Sequence, residues 1–276
     1  MAAVLAVVCG ATGLGVGPVL SVVAHRVGGH EAVAPLPHCW ACHVPVVAWV
    51  LRSGRCRRRG ARAPARRPLV ELTSAVLMSA AALRFGLSWP LPAFCVLFAS
   101  LVVVSVVDLD HLIISRRVVY PTLCITAPLL ALAAVATGAW AHLGSAAIGG
   151  VVGFGSLLVV HLVAPHGMGF GDVRLAGLIG MMLGWLGLGY GVVALLLALV
   201  LASVVGVALI ATRLRSRTDA VPLGPFMAVG AVLAALWGRA LLDASAVAAA
   251  ERRPPEALGC GRVSPTAPMR PVRAAR

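Results

Sequence analysis

Long apolar runs with few or no charged residues recur along this chain, and most of the arginine, proline and acidic residues collect in the short stretches between them. The runs cover Ala2–Ala24 and residues 69–87, 91–107, 118–138, 143–164, 175–212 and 221–242. Each is continuous rather than alternating in polarity, which predicts bilayer-spanning helices and argues against a β-barrel. Residues 175–212 are too many for one crossing and divide near Gly187-Leu188-Gly189, so the pattern predicts an all-α, polytopic membrane protein of about eight spans. Residues 1–24 form the first span, with no basic stretch before it of the kind a cleaved signal carries. Residues 25–68 form a polar segment rich in Arg, Pro and Cys, residues 69–242 the membrane core, and residues 243–276 a basic tail whose Pro, Ala and Arg content predicts disorder.

Charge orients this plan. The 276 residues are 60% hydrophobic and 12% charged, with a formal net charge of +14, and all 23 basic residues are arginine. In a soluble protein that balance would suggest a nucleic-acid partner. Here most of the arginines sit between spans, Arg84 near the outer end of the second span excepted, so the partner they imply is the bilayer and nucleic acid is not expected. Nine arginines lie in residues 25–68, which places that segment in the cytoplasm and the N-terminus outside, in the cytoplasmic (inner) membrane of a cell. The loops after the third, fifth and seventh spans then face the cytoplasm as well. The six arginines of the tail fall on the outer face in this scheme, against the rule; charges far from the first helices steer topology less.

Two acids stand against this apolar background. Asp172 lies in Gly-Met-Gly-Phe-Gly-Asp-Val-Arg-Leu, residues 167–175, between two uncharged runs. Alone, such an acid is only suggestive of a site. Asp108 directly follows the run 91–107, and two crossings separate it from Asp172, so both acids belong at one membrane face and one depth. Two carboxylates that meet cannot both ionise easily; the pair holds one proton and supplies a general acid and a general base together. The glycines at 167, 169 and 171 permit a tight turn and close approach of another segment. Those in spans five and six (Gly149, Gly150, Gly153 and Gly155; Gly177, Gly180 and Gly184) predict close helix packing.

The seven cysteines do not form a disulfide framework: Cys9, Cys95 and Cys124 fall inside apolar runs, and Cys260 stands alone in the tail. Cys39, Cys42 and Cys56 share the polar segment.

At this point a resemblance becomes specific. Residues 167–185 resemble the signature of the type IV prepilin peptidases, GxGD-type intramembrane aspartyl peptidases, and residues 108–115 resemble that family's first aspartate motif. Residues 13–27, 44–56, 68–72 and 222–234 resemble further blocks in the same order, so the likeness runs from about residue 10 to about residue 240. It implies that Asp108 and Asp172 are catalytic, with Asp110, Gly169, Gly171 and Arg174 in support. His111, His161 and His166 read as structural. The implied substrate is a type IV prepilin or pseudopilin precursor, whose leader is cut on the cytoplasmic side. The peptidase chemistry requires no cofactor, and S-adenosylmethionine enters only if the family's methylation of the new N-terminus is retained.

The departures from the family pattern are local. Ser115 replaces a usual proline, which is expected to loosen the turn, Arg174 replaces a usual lysine, and Ser21 a common asparagine. The family's two CxxC pairs, a zinc-ligand pattern, survive here as Cys39, Cys42 and Cys56, with Arg59 in the fourth place. Three thiolates with His38 or His43 could still hold zinc, but Arg57, Arg58 and Arg59 crowd the position with positive charge. Rival readings are an ion-coupled carrier using intramembrane carboxylates and a non-enzymatic scaffold. Against the carrier, the acids lie at one face rather than the midplane, and the hydropathy shows no inverted repeat.

Overall fold

A computed structural model describes residues 1–28, 67–112, 114–163, 168–212 and 222–251. Every regular element among them is a helix: α1 (Ala2–Gly28), α2 (Arg67–Phe85), α3 (Leu91–His111), α4 (Arg116–Thr137), α5 (Trp140–Val163), α6 (Phe170–Gly184), α7 (Leu188–Ala211) and α8 (Gly224–Glu251). All but α6 are long and apolar enough to cross a bilayer, and the protein is a multi-pass membrane protein. The residues through Leu242 cluster into one compact unit.

The eighth expected span is the short one. With 15 residues, α6 rises only about 22 Å, less than the roughly 30 Å of hydrocarbon in a bilayer. Ten of its residues are buried, so protein rather than lipid surrounds it and it need not match the bilayer by itself. α3, with twelve buried residues of 21, is the other interior helix. By contrast α5 and α7, of 24 residues each, bury three and two, and both present valine and leucine outward as lipid-facing helices do. Phe94, Leu97, Phe98 and Leu101 of α3 and Leu175, Leu178, Met182 and Leu183 of α6 form the centre of the core.

Small residues set the closest seams. Gly10, Gly13 and Gly17 of α1 face Ser79, Ala75 and Glu71 of α2, so the two helices run antiparallel. Gly149 and Gly153 of α5 meet Gly180 of α6, and a Cβ added to Gly153 would stand 2.5 Å from the Ala176 carbonyl oxygen. Backbones in van der Waals contact are how spans associate where lipid is as apolar as leucine.

Two helix boundaries differ from the expectation, and both differences bear on the acids. α3 does not stop at residue 107 but continues to His111, taking Asp108 into its last turns. It ends when Leu112 turns left-handed (φ 53°) and donates its N–H to the Asp108 carbonyl at 2.8 Å. Of the stretch 165–174, expected as a loop, residues 170–174 instead open α6, because an extended Gly169 caps the helix and an acid in the first turn suits its N-terminus. The expected break around 187–189 is present: Gly187, at φ 138°, turns the chain from α6 into α7.

Candidate active site

One end of the bundle gathers the end of α3, the starts of α4, α6 and α8, and the end of α5. There Asp108 is only 4% exposed and accepts a hydrogen bond from the backbone N–H of Gly224 at Oδ2, 2.8 Å away. The reason lies in the start of α8. Its first intrahelical bond runs from Met227 N–H to the Leu223 carbonyl, so the N–H of Gly224 has no partner within the helix, and Pro225 has no N–H to satisfy. Asp108 takes the orphan donor and sits at a helix N-terminus, where backbone dipoles favour negative charge. The approach is too close for a side chain at 224: an added Cβ would lie 2.7 Å from Asp108 Oδ2 and 3.1 Å from its Cγ.

Asp172, 9% exposed, occupies the first turn of α6. Its Oδ2 folds back toward Gly169, where an added Cβ would stand 3.5 Å away. Both buried carboxylates therefore sit at helix N-termini, Asp172 at its own and Asp108 at that of α8. They lie within electrostatic reach of one another. Gly171 makes that approach possible: a Cβ there would be 2.7 Å from Ile114 Cβ and 2.8 Å from the Ile114 carbonyl oxygen. Ile114 belongs to the segment that leaves α3, so the strand of chain after Asp108 lies directly on the turn that carries Asp172.

A cationic and aromatic bracket holds the other side of that turn. The Arg174 guanidinium carbon lies 4.5 Å from the Phe170 ring centroid and 5.5 Å from that of Tyr120 on α4. Its Nε is buried without a hydrogen-bond partner. The His161 ring stands edge-on to Phe170 at 5.6 Å, and its Nδ1 donates to the Met168 carbonyl at 2.9 Å. That fixes the tautomer and ties the end of α5 to the residue before Gly169. Asp110 is exposed at the end of α3. Ser115 does not loosen its turn: it caps α4, its hydroxyl accepting the Arg117 N–H at 3.2 Å.

A model of the type IV leader peptidase family matches residues 95–211, and one of the bacterial peptidase A24 N-terminal domain matches residues 11–85. Named relatives agree. The chain is 34% identical over 217 residues to the "Prepilin leader peptidase/N-methyltransferase" of Pseudomonas putida, covering 74% of this chain and 73% of that one. It is 32% identical over 217 residues to the Stutzerimonas stutzeri protein of the same name, covering 73% and 71%. The Bacillus subtilis protein of that name is 28% identical over 221 residues, covering 76% and 85%. The chain belongs to the type IV leader peptidase family. No solved structure matches it.

In this leader peptidase family member, the leader-peptidase match contains both acids, whereas Gly224, which holds Asp108, lies beyond residue 211. Gly224, Ile114, Tyr120 and Phe170 were not singled out from sequence. Pro-Leu-Gly-Pro at 222–225 carries a readable signal for the first of them, since proline just inside a helix start marks an N-terminus with orphan donors. Cys39, Cys42 and Cys56, with His38, His43 and His166, lie outside the described residues. Among the described residues no group of three or more His, Cys, Asp or Glu side chains could hold a metal ion.

Proposed function

We propose that this protein cleaves the leader from type IV prepilin-like precursors on the cytoplasmic side of the membrane, with Asp108 and Asp172 as the catalytic pair. The observation that carries the reading is a pair of buried carboxylates, each at a helix N-terminus, on segments that pack together where Gly171 meets Ile114, in a chain of the leader peptidase family. One aspartate, ionised, takes a proton from water as the water attacks the scissile carbonyl. The other, protonated, donates to the carbonyl oxygen and steadies the tetrahedral intermediate. The shared proton belongs to the pair, so the roles are not divided between the two residues. No step passes through a metal or a covalent intermediate. Gly169, Gly171 and Arg174 support the reaction by shaping the turn that carries Asp172. Methyl transfer, which the relatives' names carry, would draw on S-adenosylmethionine and is a separate activity of the mature N-terminus.

The test is processing of a co-expressed prepilin, followed as a mobility shift. Asp108→Asn and Asp172→Asn each abolish it, because a lone carboxylate cannot act as both acid and base, while Asp110→Asn retains part of it. Full processing by either of the first two variants would refute the mechanism. The mass of the mature pilin N-terminus reports methylation independently.

A further inference from the structure

An imidazole stands at each end of the α5–α6 pair. His142, in the first turn of α5, donates its Nδ1–H to the carbonyl of Trp185, just after α6, at 2.8 Å. His161, in the last turn of α5, donates its Nδ1–H to the carbonyl of Met168, just before α6, at 2.9 Å. The two bonds fix the register of α6 along α5 from both ends. The start of α6 needs such a hold. Its N-cap is Gly169, which has no side chain to cap the helix, and Gly171 follows two residues later. Glycine has the widest backbone freedom of any residue, so a turn built on these two does not by itself keep Asp172 in one place. Phe170, between them, is gripped from three sides. The Phe154 ring stands at 6.3 Å and 90°, the Arg174 guanidinium carbon at 4.5 Å and the His161 ring at 5.6 Å. Of these three side chains, only His161 also holds the backbone.

We propose that His161 is a positioning residue for cleavage: its Nδ1–H, held on the Met168 carbonyl, sets where Asp172 stands relative to Asp108. The proposal rests on the peptidase reading. Met168 lies one residue outside the N-cap of α6 and four before Asp172, so a shift of its carbonyl moves the first turn that carries the acid. His161 acts through Met168 and Phe170 and moves no proton in the reaction. What it must supply is an N–H at the Nδ1 position, since a carbonyl only accepts. The two ring nitrogens are distinct in this respect. An asparagine amide places its nitrogen where Nδ1 stood, and a glutamine amide places it where Nε2 stood. His142 is the matched comparison. It makes the same bond to the same helix, but Trp185 is 13 residues beyond Asp172, about 20 Å along α6 at 1.5 Å per residue. Its bond fastens α6 without setting the acid.

The purified full chain in detergent is assayed for kcat and KM on a prepilin, with every variant held well below its melting temperature. His161→Gln lowers kcat about tenfold or more and leaves KM within about twofold, because a misplaced acid weakens the chemical step and not the seating of the substrate. His161→Asn, which returns an N–H to the Nδ1 position, restores kcat to within about threefold of the unaltered chain. His142→Gln lowers the melting temperature and leaves kcat unchanged. Equal kcat in the two His161 variants overturns the proposal. So does a loss that falls on KM, or a loss of kcat in His142→Gln as large as that in His161→Gln. A second measurement needs no substrate: deuterium exchange at the backbone amides of residues 168–172 rises about tenfold or more in the His161→Gln chain and not in the His161→Asn chain. Unchanged exchange in His161→Gln overturns the proposal as well. If the unaltered chain cleaves no prepilin, the peptidase reading falls, while the exchange still decides whether His161 holds the turn.

Discussion

Asp108 and Gly224, 116 residues apart in sequence, are joined by a 2.8 Å hydrogen bond from backbone to carboxylate. The bond couples the orientation of one proposed catalytic carboxylate to the seating of the last helix, a helix that brings no acid of its own to this end of the bundle. A hydrogen bond to a charged group is worth about 1.5–3 kcal/mol, enough to hold a buried carboxylate in one rotamer.

Substituting Gly224 tests that coupling. Alanine in place of glycine inside a helix ordinarily stabilises it by about 0.5–1 kcal/mol. At 224 the added Cβ would stand 2.7 Å from Asp108 Oδ2, so either the carboxylate turns away or the start of α8 shifts. Gly224→Ala is expected to lower kcat for precursor cleavage at least tenfold while the melting temperature stays within a few degrees. Wild-type kcat would show that the contact relaxes freely and that α8 does not position the acid.

The fold and its acids were legible for different reasons. Span number and order follow from apolar runs, because a bilayer sets the length of every helix exposed to it. The boundaries at Asp108 and Phe170 were misjudged for the converse reason: α3 and α6 are enclosed by protein, so their ends are set by local capping at Leu112 and Gly169 rather than by where hydrophobicity stops. The two acids were visible as the costliest residues in their surroundings. Gly224 and Ile114 were not, since a backbone N–H and an aliphatic side chain carry no signal until the fold brings them to an acid.

Arg174 tests the bracket around Asp172. Cation–π contacts are worth about 0.5–2 kcal/mol depending on desolvation, and Arg174 makes two, to Phe170 and Tyr120. Arg174→Ala is expected to lower the melting temperature and to reduce cleavage several-fold through a misplaced α6 turn. Arg174→Lys keeps the charge over the rings and should retain most of both. Thermal unfolding measured beside precursor processing checks this; an alanine variant with unchanged melting and full cleavage would show the bracket to be idle.

Membrane sidedness follows from the same geometry. Gly171 touches Ile114, so the chain segments on either side of the two acids end at one face. Reporter fusions at about residues 60, 113, 170 and 215 are expected to read cytoplasmic, and one at about residue 89 external. Opposite readings at 113 and 170 would contradict the packing of Gly171 on Ile114 and with it a shared site.

The cysteine-rich segment supplies the last test. A tetrahedral structural zinc site takes four ligands, and the metal contributes directly to folding when all are present. In this chain Arg59 stands three residues after Cys56, where the CxxC pattern calls for a fourth cysteine, and a guanidinium stays charged and has no lone pair to offer. Arg57 and Arg58 add positive charge beside the same thiol, which opposes a dication further. The purified protein is therefore expected to hold less than one zinc per chain. Cleavage should survive both a chelator and the double change Cys39→Ser with Cys42→Ser, since both proposed catalytic acids are carried by α3 and α6. Elemental analysis and the processing assay check the two halves separately. Stoichiometric zinc together with loss of cleavage in the double variant would show that three cysteines and a histidine suffice to build the site, and that the peptidase depends on it.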